Sequence, residues 1–252
     1  PTVTVIAAPQ VTGSEHIILP GNVEAWHEAT IYARTNGYIK KWYVDIGSHV
    51  KKGDLLAIIE TPELDAQYRQ AQAELNTAIA NNNLAQSTAK RWLHLLKTDS
   101  VSKQEADEKV SSAAALKAVV ISAQANVDRL KELVGFERVM APFDGVITSR
   151  TTDIGSLINA GSSSTSVALF KLSQTNPLRV YVKIPQNYTS RIKAKMTVNL
   201  SFAEHPGQVF PAKLVETAQA IDPDTLTLLA QFSAENKEGL LLPGGYTEVA
   251  FN

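Results

Sequence analysis

Cysteine is absent from all 252 residues. Its absence excludes disulfides, thiolate zinc sites and cysteine nucleophiles. It is compatible with an oxidising compartment without requiring one. Charge of one sign is also missing: 24 Lys+Arg against 25 Asp+Glu leave a net charge of -1. That balance excludes the basic footprint of a nucleic-acid partner. No apolar run reaches eighteen residues, which predicts that nothing in the chain spans a membrane. No basic-apolar leader stands before Pro1, which is read as the start of a trimmed or mature form. The five histidines, His16, His27, His49, His94 and His205, have no ligand spacing. Glycines fall in turns, not in a phosphate loop, and no local motif argues for a Ser/His/Asp arrangement. Trp26, Trp42 and Trp92 are scattered and read as packing residues. No catalytic residue, cofactor site or metal site is therefore expected.

What is present is one motif written twice. The first copy reads Ala33-Arg-Thr-Asn-Gly37-Tyr-Ile39, then Asp45-Ile-Gly47-Ser48, then Gly53. The second reads Ala141-Pro-Phe-Asp-Gly145-Val-Ile147, then Asp153-Ile-Gly155-Ser156, then Gly161, at a constant offset of 108 residues. Fixed internal spacing means one supersecondary unit used twice. Gly37, Gly47, Gly53, Gly145, Gly155 and Gly161 mark its turns. Leu55-Leu-Ala-Ile-Ile59 and Val167-Ala-Leu-Phe-Lys-Leu172 read as buried strands. Each copy is therefore expected to supply half of one small β-sandwich.

Between the copies lies a helical pattern. Thr61-Pro62 is a helix start, with a hydroxyl N-cap and proline at the first position. Positions 64, 68, 71, 75, 78, 82, 85, 89, 92 and 96 are apolar except Asn82. After Thr98-Asp-Ser-Val101, the run Ser102-Lys-Gln-Glu105 is a capping box that opens a second helix. Its seam at 106, 109, 113, 116, 120, 123, 127, 130 and 134 is apolar except Lys109. Gly135 is read as its C-cap. Two such seams joined by a tight turn predict an antiparallel coiled-coil hairpin, each helix roughly 50 Å long. Many seam residues are alanine, so the helices can approach closely. The hairpin is either a rigid spacer or a reaching arm whose tip docks on a partner; the second reading is preferred.

From Pro177 onward the chain reads as strands: 178–184, 197–202, 208–215, 225–232 and 246–251, with a short helix opening at Pro185-Gln186. With a strand from 11–23, these suggest a small antiparallel barrel.

Gly37-Tyr-Ile, Gly47 and Val50-Lys-Lys-Gly53-Asp-Leu-Leu resemble a lipoyl/biotinyl half-motif. Val139-Met-Ala-Pro-Phe-Asp-Gly145-Val-Ile after a helical hairpin resembles the returning half in periplasmic adaptor proteins, the membrane fusion proteins of tripartite efflux pumps. The resemblance covers nearly the whole chain. A true lipoyl or biotinyl carrier would instead place one modifiable lysine where the halves meet. Here the segment 61–137 stands at that junction, and Lys51 and Lys52 lie in a turn of the first half. The scarcity of methionine, only Met140 and Met196, does not support a copper-handling adaptor.

The resemblance implies a mixed α and β, elongated multidomain fold: a split lipoyl-like β-sandwich, an antiparallel α-helical coiled-coil hairpin and a small antiparallel β-barrel. The expected domains are 1–10 as a remnant of a membrane-proximal domain, 11–27 with 173–252 as the barrel, 28–60 with 138–172 as the lipoyl-like domain, and 61–137 as the hairpin. Thr2-Val-Thr-Val-Ile6 would be a strand of the first. Arg91, Leu95 and Ser102 match the spacing of the tip motif in adaptors of the resistance-nodulation-division type. The resemblance implies that these three meet an outer-membrane channel; by its own chemistry Ser102 caps the second helix and can still donate outward. An inner-membrane exporter, self-assembly as a hexamer, efflux of small molecules and a periplasmic location at the inner membrane are implied as well. An ABC-type exporter or type I secretion system is the alternative partner. Two departures from the family pattern stand out: Leu226 where arginine is usual, and Lys193-Ala-Lys195 where a glycine is expected.

Overall fold

A computed structural model of the chain describes residues 17–161 and 167–251. The expected strand Thr2–Ile6, the 1–10 remnant, the opening of the 11–23 strand and His16 lie outside those residues. In chain order the described elements are β1 (Ile17–Ala25), β2 (Glu28–Tyr32), β3 (Gly37–Trp42), β4 (His49–Val50), β5 (Leu55–Glu60), α1 (Pro62–Leu96), α2 (Lys103–Gly135), β6 (Arg138–Met140), β7 (Gly145–Arg150), β8 (Leu157–Ile158), β9 (Ala168–Ser173), β10 (Leu178–Pro185), a 3₁₀ helix (Gln186–Arg191), β11 (Thr197–Ser201), β12 (Val209–Asp222), β13 (Thr227–Ala234) and β14 (Tyr246–Phe251). The chain divides into two compact units, Thr30–Lys171 and the remainder on either side of it.

In the Thr30–Lys171 unit two four-stranded sheets run β2-β9-β7-β4 and β6-β5-β3-β8. Each sheet takes two strands from before the hairpin and two from after it. The alternation of each strand follows from which face meets the other sheet. Ile39, Leu56, Ile59, Ile147, Ile158, Leu169 and Phe170 are completely buried. Burying each such side chain contributes about 1.5–3 kcal/mol. Trp42 closes this core edge-on against Phe170, with ring centroids 4.9 Å apart.

The two helices form the antiparallel pair that their seams require. All nineteen seam positions read from the sequence are buried or half-buried, including Asn82 and Lys109. Ala71, Ala78, Ala89, Ala106 and Ala113 are among the most buried, so backbone proximity, not side-chain bulk, sets the spacing of most of the hairpin. Bulkier residues gather near the root, where Leu64, Tyr68, Leu75 and Leu133 pack on Ala71, Val127 and Leu130.

Two local readings of the hairpin are corrected. Thr61 is the N-cap residue but makes no side-chain cap; its hydroxyl donates to Glu137 instead. Gly135 is the last helical residue, and the cap that follows is Phe136 in right-handed conformation (φ -75°). No left-handed glycine is needed there, because the amides of Phe136 and Glu137 already bond Leu133 and Val134. No unbroken apolar run exists, yet α2 is long and apolar enough on average to cross a membrane by length and composition alone. Its alanine content and off-seam residues such as Val119 and Ile121 raise that average, and the stretch is mostly exposed.

The other unit is a closed six-stranded barrel, β1-β10-β13-β12-β11-β14. Val180, Val182, Val198, Leu200, Phe232 and Val249 fill its interior. Strand β12 continues to Asp222, past the expected end at 215, through two irregularities at Leu214/Glu216 and Thr217/Ile221. Both family departures fall on left-handed backbone: Lys195 has φ 64° and Leu226 has φ 52°.

Candidate functional site

The hairpin tip is organised by hydrogen bonds of its own. The Leu95 carbonyl accepts from the amides of Thr98 (3.2 Å) and Ser100 (3.0 Å) and from the Thr98 hydroxyl (2.9 Å). Asp99 turns the chain with φ 51°. Ser102 then opens α2 with the full capping box: its oxygen accepts from the Glu105 amide (3.2 Å), and its own amide donates to Glu105 Oε2 (2.9 Å). The Ser102 hydroxyl proton also goes to Glu105 Oε2, at 2.9 Å. Ser102 therefore does not donate outward as expected; one lone pair is what it can offer. These bonds hold the Glu105 carboxyl below the usual glutamate range, the Ser102 amide first and its hydroxyl next.

Arg91 is exposed, and among the described residues it has no hydrogen-bond or ion-pair partner. Leu95 is half-buried, and Leu93, on the other flank of the helix, is exposed. Arg91 and Leu95 thus sit on the last turns of α1, and Ser102 is the N-cap of α2. Behind them, the Lys109 ammonium lies 5.7 Å from the centre of the Trp92 ring. The sequence reading missed Leu93. Its exposure at an off-seam position was available from the heptad register alone.

The tip is carried by a root that the repeat builds. The Gly47 amide donates to the Ile147 carbonyl, and the Gly155 amide donates to the Ile39 carbonyl, each at 2.8 Å. The Ile147 amide returns to Ser48 O at 3.0 Å, and the Ile39 amide to Ser156 O at 3.1 Å. The Gly53 amide meets Ala141 O at 2.8 Å, and the Gly161 amide meets Ala33 O at 3.0 Å. Even the side-chain bonds match: Lys52 N to Asp144 Oδ1 at 2.7 Å and Ala160 N to Asn36 Oδ1 at 2.6 Å. Each copy supplies what the other lacks. Gly47 and Gly155 have φ 85° and 83°, and Gly53 and Gly161 have φ 88° and 102°. Gly37 opens β3 and Gly145 opens β7 at the equivalent place.

One contact breaks this pseudo-symmetry. Arg150 stands in the position equivalent to Trp42, and its guanidinium lies 5.7 Å from the Trp42 ring centre. It bonds Asp45 at 3.1 Å and Asp153 at 2.6 Å, the two aspartates of the repeated Asp-Ile-Gly-Ser turns. The Asp45 carboxyl is held below its usual range, first by the Ile46 amide and then by Arg150. This clamp joins residues 105 positions apart, and no local sequence signal marks it. No group of three or more His, Cys, Asp or Glu that could hold a metal occurs among the described residues.

The profile described as "RND MFP, barrel-sandwich hybrid domain" matches residues 27–169. The one described as "CusB-like, beta-barrel domain" matches residues 178–252. Multidrug resistance protein MdtA of Photorhabdus laumondii is 26% identical over 99% of this chain and 63% of its own length. Membrane fusion protein MtrC of Neisseria gonorrhoeae is 28% identical over 99% and 63%. The chain thus spans less than two thirds of these relatives. A solved MacA-MexA chimera containing the Pseudomonas aeruginosa MexA α-hairpin superposes with TM-score 0.72 at 26% identity, covering 93% of this chain and 78% of the chimera. The two profiles together cover residues 27–169 and 178–252, the first of them more than half of the chain, and the chain belongs to the RND membrane fusion protein family.

Proposed function

We propose that this chain is the adaptor portion of a tripartite efflux assembly, linking an inner-membrane exporter of the resistance-nodulation-division type to an outer-membrane channel for small molecules. The observation that carries the reading is the exposed, unpaired Arg91 at the end of a hairpin of 35 and 33 helical residues. Such a guanidinium presents five donors to carbonyls or carboxylates of a partner. Leu95, four residues on and on the same helix face, provides the apolar contact beside it. The protein acts by position, not by catalysis: it builds a conduit in the periplasm at the inner membrane, with copies side by side as a hexamer. Residues 28–60 with 138–172 would be the lipoyl-like domain, 61–137 the hairpin, 11–27 with 173–252 the barrel, and 1–10 part of a membrane-proximal domain.

The test is photocrosslinking in living cells from position 95 of the full-length protein, carrying a photoreactive residue in place of Leu95. An outer-membrane channel in the crosslinked band supports the reading. Crosslinks confined to neighbouring copies would reassign the tip to self-assembly. In parallel, Arg91→Glu and Leu95→Asp are expected to abolish drug export at unchanged protein level. Arg91 is exposed, so its reversal should shift unfolding by no more than about 0.5 kcal/mol; Leu95 is half-buried, and its variant should cost about 1 kcal/mol and still fold. Normal drug resistance in both variants overturns the docking role.

A further inference from the structure

The root of the hairpin contains a groove that the conduit reading does not use. It measures about 420 Å³ and lies where the start of β3, the end of β5 and β8 meet the first turn of α1 and the last turn of α2. That volume is in the range of small-molecule sites, roughly 300–1,000 Å³. One part of its wall is apolar, with Asn36 and Gln67 among the polar remainder: Leu64 and Leu133 turn one side to the hairpin seam and line the groove with the other. Leu157 and Tyr38, cross-strand partners in the sheet, remain 60% and 52% exposed. Aliphatic and aromatic surface left open beside a concavity is what an apolar ligand body covers.

The rim has one sign. Glu60 and Glu63 line it, and Asp65 and Glu137 stand just behind. The basic group that pairs with this set is Lys40, 3.3 Å from Glu60 Oε1. Burial pushes the Glu137 carboxyl above its usual range, Thr61 donates to it and offsets part of that, and Asp65 and Lys40 act on it in opposite senses. The helix dipoles do not reverse the sign of the rim. The N-terminus of α1 and the C-terminus of α2 meet here, and their opposite partial charges largely cancel. The open Tyr38 ring adds a face that attracts a cation.

We propose that this groove binds a lipophilic cation, a monovalent positive centre carried on an aromatic or aliphatic body. The apolar body lies on Leu64, Leu133 and Leu157. The charge sits between Tyr38 and the carboxylates of Glu60 and Glu63. Lys40 competes with the ligand for Glu60. The inference is independent of the adaptor reading, because it concerns the root and not the tip.

The experiment is calorimetric titration of the 252-residue protein with tetraphenylphosphonium at low salt, with tetraphenylborate as the anion of the same shape. The phosphonium is expected to bind saturably at one site and the borate not at all. Glu60→Gln with Glu63→Gln should weaken phosphonium binding about tenfold, the scale of two partly screened charge contacts. Leu157→Ser, at an exposed position, should weaken it several-fold. Lys40→Gln should strengthen it, an outcome that misfolding does not produce. No saturable binding, equal binding of the borate, or weaker binding to the Lys40→Gln protein would overturn the proposal.

Discussion

Replacing the repeat glycines by alanine tests whether the two copies close each other. At Gly47 and Gly155 the backbone is left-handed (φ 85° and 83°), and an added Cβ meets nothing within 4 Å. The cost is then purely conformational, about 1–2 kcal/mol for an L-residue in that region. Loss of unfolded-chain freedom returns about 0.4–1 kcal/mol. The net expectation is about 1 kcal/mol at each site, the same at both because both turns make the same bond. Gly37 is a different case. A Cβ there would lie 2.4 Å from the Glu60 carbonyl oxygen and 2.8 Å from the methyls of Ile59 and Thr61. Strand β3 would have to move off β5, which costs at least about 3 kcal/mol. The assay is urea unfolding followed by Trp42 fluorescence, with Trp26 and Trp92 replaced by phenylalanine. A single reporter is needed because a chain of two compact units need not unfold in one step. Asparagine at Gly47 or Gly155 should recover part of the loss, since it tolerates left-handed backbone better than alanine. The reasoning fails if the Gly47 and Gly155 variants differ by more than about 1 kcal/mol, or if Gly37→Ala is as mild as they are.

Two further outcomes are expected. Lys195→Gly removes a left-handed lysine (φ 64°) and should raise barrel stability by about 0.5–1 kcal/mol, read as a later urea midpoint by barrel-specific hydrogen exchange; an earlier midpoint refutes it. Glu137→Gln should stabilise the protein at pH 8 but not near pH 4. The folded state raises this carboxyl's pKa, so the charged form is disfavoured, and that penalty is complete above the folded pKa. It fades as pH falls towards the unfolded value of about 4.3. An equal gain at both pH values would show that charge is not the cause.

Much of this architecture was legible because its signals are local or periodic. The Asp-Ile-Gly-Ser turns require left-handed glycine, so the repeat shows in the letters. The seam from Leu64 to Leu96 is a heptad pattern, and Ser102 with Glu105 is a cap written within four residues. What escaped was set by partners far along the chain. Thr61 is a good N-cap by type, yet its hydroxyl is drawn to Glu137, 76 positions away. Arg150 reads as an ordinary strand charge until the fold brings it to Asp45. Strand β12 was cut short because its second half is exposed and irregular, leaving no alternation to follow. Sequence shows that Ser102 has a hydroxyl to donate, not that its proton points to Glu105.

The bond between Thr61 and Glu137 bears on the order in which the chain acquires its structure. The first half of the sandwich emerges with strands whose partners are still to come, and joining the halves through a flexible connection of 76 residues would cost about 4 kcal/mol of loop entropy. A helical hairpin needs only near-neighbour contacts to form, and such contacts form early. Once zipped, it brings its two ends together, so the long connection behaves as a short turn when the second half arrives. The arm is then also an internal folding clamp, and shortening both helices by whole heptads should leave that service intact.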